Sequence, residues 1–275
     1  MSAIRGAVVM VAIAACVPAL AQTAAPGLSG VAVEGTRLRV TLSDGRTLTS
    51  NQLVGATLTL GVAGRTARVR IDAIERDPDD KTGAREADFV WLHTFSVQQA
   101  DGSWTSLCKP GPDGRQQGFP VSGAMMPDGR MAAAAPDRFE ITCTSGAQGK
   151  CIRFGYKPWQ TTSDGKPMLD VYNACMRMVR GDYGGDGKAF TLDGQRIDIY
   201  DFIGVQQPDM DPDQDFEAGW TADGAVCVRH VRVKQNTSLE ALEASYPRLK
   251  GRTGGACTEA VARAGGALIF NRSKP

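Results

Sequence analysis

Six cysteines, Cys108, Cys143, Cys151, Cys175, Cys227 and Cys257, follow an N-terminal segment laid out as an export signal, and together they fix the conditions in which this chain folds. Behind Arg5, residues 6–17 are uncharged and mostly apolar, and Pro18, Ala19, Leu20 and Ala21 close the run with small side chains at Ala19 and Ala21. Cleavage after Ala21 would remove residues 1–21 and leave Gln22 first. The run is too short to cross ~30 Å of hydrocarbon. The same residues include Ile13, Ala14, Ala15 and Cys16, the pattern of a signal in which a lipid-modified cysteine becomes the N-terminus, so an anchor through Cys16 is the alternative to release. Either way the chain is expected to be exported, periplasmic or secreted, into an oxidising compartment. With Cys16 set aside, the even number left predicts disulfides throughout, with about 15 connectivities open. No C-x-x-C pair occurs and there are 2 histidines, so neither a metal centre nor a cofactor is expected.

Loss of Arg5 with the signal brings the 31 basic residues level with the 30 acidic ones, mixed along the chain without clusters. That balance argues against nucleic acid or an anionic membrane as partner, and leaves a small ligand or an envelope partner open. No later stretch approaches transmembrane length.

From residue 31 onward the pattern is apolar–polar alternation broken by turns. Leu38, Val40 and Leu42 alternate with Arg37, Arg39 and Thr41 before Asp44 and Gly45; Leu58, Leu60 and Val62 lead through Gly64 to Ala67, Val69 and Ile71, which reads as a hairpin. Phe89, Trp91, His93, Phe95 and Val97 are expected on one face of a further strand. An antiparallel sandwich or barrel-like part houses such strands. Residues 109–137, rich in proline and glycine, read as an irregular linker closing a β-rich region 22–137. In region 138–275, Pro167 suits the first turn of a helix with stripe Met168, Tyr172, Cys175 and Val179, ending at Gly181. Strands are expected at 196–202, 225–234 and 267–270, and Thr237 with Glu240 forms a capping box for a helix reaching Tyr246. The fold class is α+β with β dominant.

Phe139, Glu140, Ile141, Thr142 and Cys143, then Lys150, Cys151, Gly155, Tyr156, Lys157, Pro158 and Trp159, then Ala174, Cys175, Arg177, Met178, Val179 and Arg180, and finally Asp223, Gly224, Ala225, Val226 and Cys227 together resemble the ADYC-domain family. These are exported bacterial proteins named for an Ala, Asp, Tyr, Cys motif, and the resemblance implies no established activity. It is strongest over 138–275. Here Gly181 and Gly184 replace the alanine and the cysteine, while Asp182 and Tyr183 remain. The resemblance implies a disulfide partner for the missing cysteine that is absent, free or re-paired in this chain.

Asp182, Tyr183 and Asp186, set among Gly181, Gly184, Gly185 and Gly187, suit either a ligand or cation loop or a tight turn in which Asp182 accepts backbone N–H bonds. Asp209, Asp211, Asp213, Asp215 and Glu217 read as a solvated acidic loop, because Gln214 and Trp220 occupy the places where a calcium loop needs Gly and Glu. Tyr156 and Trp159 form a candidate aromatic platform for a sugar or peptide. His93 reads as a packed core histidine, and His230 has no nucleophile beside it in sequence. These features describe a non-catalytic envelope protein binding a small ligand, glycan or partner. The alternative is a carboxylate-dependent, glycosidase-like hydrolase using Asp182 and Asp186, or Asp198 and Asp201.

Overall fold

Pro167 sets an extended backbone before Met168, and helix α2 (Met168–Arg180) runs until Gly181 takes the left-handed conformation with φ 61° and bonds its N–H to the carbonyls of Arg177 and Met178. The helix buries more than the expected stripe: Met168, Val171, Tyr172, Ala174, Cys175, Met176 and Met178 are all sealed, while Val179 is only partly covered. A helix apolar on most sides must be packed on most sides, and α2 lies between two sheets. The computed structural model describes residues 26–62, 65–80, 88–133 and 138–275; the expected signal segment, its cleavage site and Cys16 lie outside the described residues.

Strands β1 (Leu28–Glu34), β2 (Arg37–Leu42) and β3 (Thr47–Thr49) form a small antiparallel sheet. It packs through Leu38 and Val40 onto Val69, Ile71 and Phe95 of a larger antiparallel sheet. That sheet runs β4 (Thr57–Val62), β5 (Arg65–Arg76), β6 (Trp91–Gln98), β8 (Gln117–Ser122), β9 (Phe139–Cys143), with β7 (Trp104–Ser106) paired to β6. The expected hairpin is β4–β5, in the register Leu58 to Val69 and Leu60 to Ala67. The opposite face of the same sheet carries Val90, Leu92, Phe119 and Val121 against α1 (Ala147–Arg153) and α2. The N-terminal part is therefore sandwich-like, and no closed barrel forms among the described residues.

Three expectations change here. The proline-rich linker contains a strand, β8, whose Phe119, Pro120 and Val121 are all buried, so no alternation announced it. β9, beyond the expected division at 138, is the outer strand of the N-terminal sheet. Burial on both faces also breaks the expected one-sided pattern of β6, where Leu92 is as buried as His93 and Phe95.

The C-terminal sheet holds β10 (Ile197–Asp201), β11 (Asp215–Thr221), β12 (Gly224–Val228) and β13 (Ile269–Ser273) in the order β10-β13-β11-β12. The last strand thus enters the middle of the sheet. The expected strand at 225–234 stops at Val228, where Arg229 N–H turns to the Glu217 carbonyl and Arg232 turns inward. Helix α3 (Leu239–Ser245) is capped by Ser238, whose hydroxyl accepts from Ala241 N–H, one residue later than the expected Thr237 cap. Helix α4 (Glu259–Ala264) lies on the outer face of β11 and β12. Disulfides join Cys108 to Cys143, Cys151 to Cys175 and Cys227 to Cys257, with Cα separations of 5.5, 5.9 and 5.5 Å. No described helix is long and apolar enough to cross a membrane.

Candidate functional site

The left-handed turn at Gly181 folds Asp182 back beneath α2, its N–H bonded to the Arg177 carbonyl at 2.9 Å. Its Oδ1 accepts from Gly185 N–H, and its Oδ2 from Gly187 N–H and from Arg177 Nη1 at 2.5 Å. Arg177 also donates to the carbonyls of Asp128 and Ala222. One guanidinium thereby ties three turns together, and both members of the ion pair are sealed, at 1% and 0% exposure. Arg180, the nearer arginine in sequence, donates to the Gly187 carbonyl instead. At Gly185, where φ is 77°, a β-carbon would stand 1.9 Å from the Asp223 carbonyl oxygen. At Gly184 it would stand 2.2 Å from the Tyr246 ring, so Tyr246 fills the room that a cysteine side chain would need. The loss of that cysteine leaves no thiol over among residues 108–257, since all six there are paired. Asp186 is exposed; it accepts from Tyr246 OH at 3.1 Å, and burial with the Asp186 charge pushes that phenol up to about 12.

Tyr183 is fully buried, stacked on Trp220 at 5.2 Å, and donates to Glu217 Oε1 at 2.9 Å. Glu217 lies inside, not in a solvated acidic loop: the β-bulge between Phe216 and Ala218 turns it inward, where Arg232 grips both oxygens at 2.8 to 3.1 Å. Burial alone would raise its pKa, but the charge and hydrogen bonds of Arg232, with Ser273 and Asn271, outweigh it and hold the carboxyl low. His230 Nε2 lies 3.0 Å from Ser273 Oγ, and burial lowers the pKa of the imidazole.

The two aromatics of the expected platform part company. Tyr156 is fully buried with its OH on Asp201 at 2.8 Å, while Trp159 is partly covered between two hollows of about 200 and 580 Å³. His93 is buried, with Nδ1 at 3.2 Å from the Trp91 carbonyl, and desolvation lowers its pKa to about 4.

Asp198 and Asp201 stand three apart on β10 and therefore face opposite sides of the sheet. Asp201 spends its oxygens on the N–H groups of Ile203, Gly204, Val205 and Gln206 and on Tyr156. Asp198 accepts from Asp209 N–H with one oxygen; the other is buried without a hydrogen-bond partner, and burial, with Asp209 and Asp211 nearby, raises its pKa. On the face of Asp198, Tyr200 and Phe270 stack at 5.6 Å and Phe202 meets Phe270 edge-on. Between α4 and the loop after β10 lies a cavity of about 580 Å³ lined by Tyr200, Phe202, Met210, Phe216, Glu259 and Arg272. Tyr200 OH donates to Glu259 Oε2 at 2.6 Å; Arg272 holds the Gln214 carbonyl through Nε and Nη2 and reaches Met210 sulfur through Nη1 at 3.3 Å. Phe202 and Met210 stay 47% and 68% exposed, and Met210 is the one non-glycine among the described residues with positive φ, at 58°.

These features define a disulfide-stapled α+β protein whose glycine-rich motif clamps its own turns and whose open cavity lies elsewhere. The chain belongs to the ADYC-domain family, whose profile matches residues 50–234 and so reaches further upstream than the residues that carried the resemblance. Comparison with curated proteins and with solved structures gave no match. Sequence reasoning missed Arg177 as the clamp, Glu217 as a buried group and the whole cavity. The signal for Arg177 was its place one turn before a Gly-terminated helix end followed by an acid; the cavity left none, since its lining is scattered from residue 200 to residue 272.

Proposed function

We propose that this protein is a non-catalytic binding module of the bacterial envelope, exported and released in the periplasm or outside the cell, and that its binding site is the cavity over β10 and β13. The observation that carries this reading is the combination of exposed Phe202 and Met210 with the opposed charges of Glu259 and Arg272 around one opening. Small-ligand sites are built this way, from apolar walls and a few placed polar groups. The expected carboxylate pairs support it too: Asp182 and Asp201 each already accept through both oxygens from the protein's own donors. Protein purified from the envelope and analysed by native mass spectrometry is expected to carry a small ligand, which Phe202→Ala loses. Retention of the same ligand by that variant would place the site elsewhere. Intact mass on the same sample is expected to begin at Gln22; a diacylated species beginning at Cys16 would replace release with anchoring.

One observation favours a carboxylate-dependent hydrolase as second reading: Asp198 has a buried, unpartnered oxygen and a raised pKa, the condition of a proton donor. Its partner would be Glu259, on the same side of the sheet, not Asp201. Turnover of a chromogenic glycoside that Asp198→Asn abolishes would establish it.

A further inference from the structure

We propose, resting on the cavity as binding site, that its ligand is an uncharged hexopyranose unit of a glycan. A sugar ring offers an apolar C–H face and hydroxyls that both donate and accept, so it needs an exposed aromatic surface flanked by both kinds of polar group. Phe202 supplies the first, standing 47% exposed at the mouth beside Tyr200 and Phe216; the Arg263 guanidinium lies over one face of its ring at 4.1 Å, which leaves the other face for a sugar. Glu259 supplies acceptor capacity: Tyr200 occupies Oε2, and Oε1 accepts no hydrogen bond from the described residues. Arg272 supplies the donor. Its Nε and Nη2 are held by the Gln214 carbonyl, which fixes the plane of the guanidinium, while Nη1 points at a thioether sulfur, a weak acceptor that a hydroxyl outcompetes. Gln207, on the same lining, carries one group of each kind.

The charges select against ions. Glu259 and Arg272 lie in the same cavity with opposite sign, and Asp201, the other acid on the lining, is engaged by Tyr156 OH and four N–H groups of its own loop, so a carboxylate or ammonium ligand meets repulsion as well as attraction, whereas a neutral polyol satisfies both free groups. Met210, in its left-handed conformation, holds a 68% exposed side chain over Arg272, and backbone held in a sparsely populated region marks functional positions more often than others. The cavity, about 580 Å³, is of small-ligand size.

The test is an NMR titration of the full chain, observing the Met210 methyl and Phe202 ring signals, with glucose, N-acetylglucosamine and maltose as neutral probes and glucuronic acid and glucosamine as charged ones. At least one neutral sugar is expected to give saturable shifts at both residues, binding about tenfold more weakly in Phe202→Ala, the scale of a lost aromatic platform. Phe202→Trp should restore binding, and Trp159→Ala should leave it unchanged. Near-ultraviolet circular dichroism checks that Phe202→Ala keeps its fold. Tighter binding of a charged probe at the same signals overturns the assignment of an uncharged sugar while leaving the cavity as the site. Silence from all neutral probes overturns the assignment as well. Sugar-induced shifts confined to residues around Trp159, and insensitive to Phe202→Ala, overturn both the assignment and the cavity.

Discussion

Asp182 illustrates at the scale of one side chain how a residue that resembles a site can instead be a clamp. Removing it would strand the Arg177 guanidinium, 1% exposed, without its counter-ion and free the N–H groups of Gly185 and Gly187. Loss of one partner from a buried pair costs ~3 to 5 kcal/mol, so Asp182→Ala is expected to lower stability by about that much in urea unfolding, and Asp182→Asn, which keeps an acceptor, by less. A variant that unfolded like the parent would refute the clamp. His93 makes a second residue-scale prediction. Its Nδ1–H faces the Trp91 carbonyl, and burial lowers the imidazole to about 4 from an ordinary 6.5. The unfolded chain therefore takes up a proton at a pH where the native chain does not. The contribution is complete above pH 6.5 and is lost as pH falls from about 6.5 to about 4, by ~3 kcal/mol in all. His93→Phe, which keeps a ring stacked on Phe95, should flatten the stability–pH curve across that window relative to the parent.

Gly184 and Tyr246 belong to the scale of elements, because the first lies in the turn after α2 and the second caps α3. Gly184 is not in the left-handed region, so the obstacle an alanine there meets first is the Tyr246 ring, 2.2 Å from where its β-carbon would be. Overpacking of this kind costs ~1 to 3 kcal/mol. Gly184→Ala should therefore destabilise the parent by that amount and a Tyr246→Ala background by much less, which a double-mutant cycle measures. The same pairing shows where legibility stops. Helix α2 and the β4–β5 hairpin could be read locally, from Pro167 and Gly181 at the ends of an apolar stripe and from clean alternation of Leu58, Leu60, Val69 and Ile71. β8 could not be read, because burial on both faces erased its alternation. Glu217 looked solvated because a bulge, which depends on the partner strand, decides which way it points. Nothing local tells Gly184 that Tyr246 arrives from more than sixty residues away. The cavity is illegible for the same reason, being assembled by the late insertion of β13 beside β10.

At the scale of the molecule, the covalent and ionic ties divide the work. Arg153 reaches Asp77 at 2.7 Å and Lys157 reaches Asp80 at 3.1 Å, fastening the segment around α1 to the end of β5. The disulfides act more locally, closing loops of 35, 24 and 30 residues, each worth ~3.5 kcal/mol by loop entropy. Alkylation under denaturing, non-reducing conditions is expected to label no thiol between Cys108 and Cys257; stoichiometric labelling would mean that one bridge is not formed. Their consequences for the cavity should differ. Cys257 fixes the chain two residues before Glu259, whose carboxylate holds Tyr200 OH at 2.6 Å, whereas Cys108 and Cys143 brace the N-terminal sheet far along the chain from the cavity lining. Replacing both Cys227 and Cys257 by alanine should therefore lower the melting temperature and also weaken ligand binding at Phe202 and Met210. Replacing Cys108 and Cys143 should lower the melting temperature by a comparable amount and leave binding intact. Thermal unfolding and the NMR titration, run on both double variants, separate the two effects; equal losses of binding would mean that the cavity answers to global stability and not to the anchoring of α4.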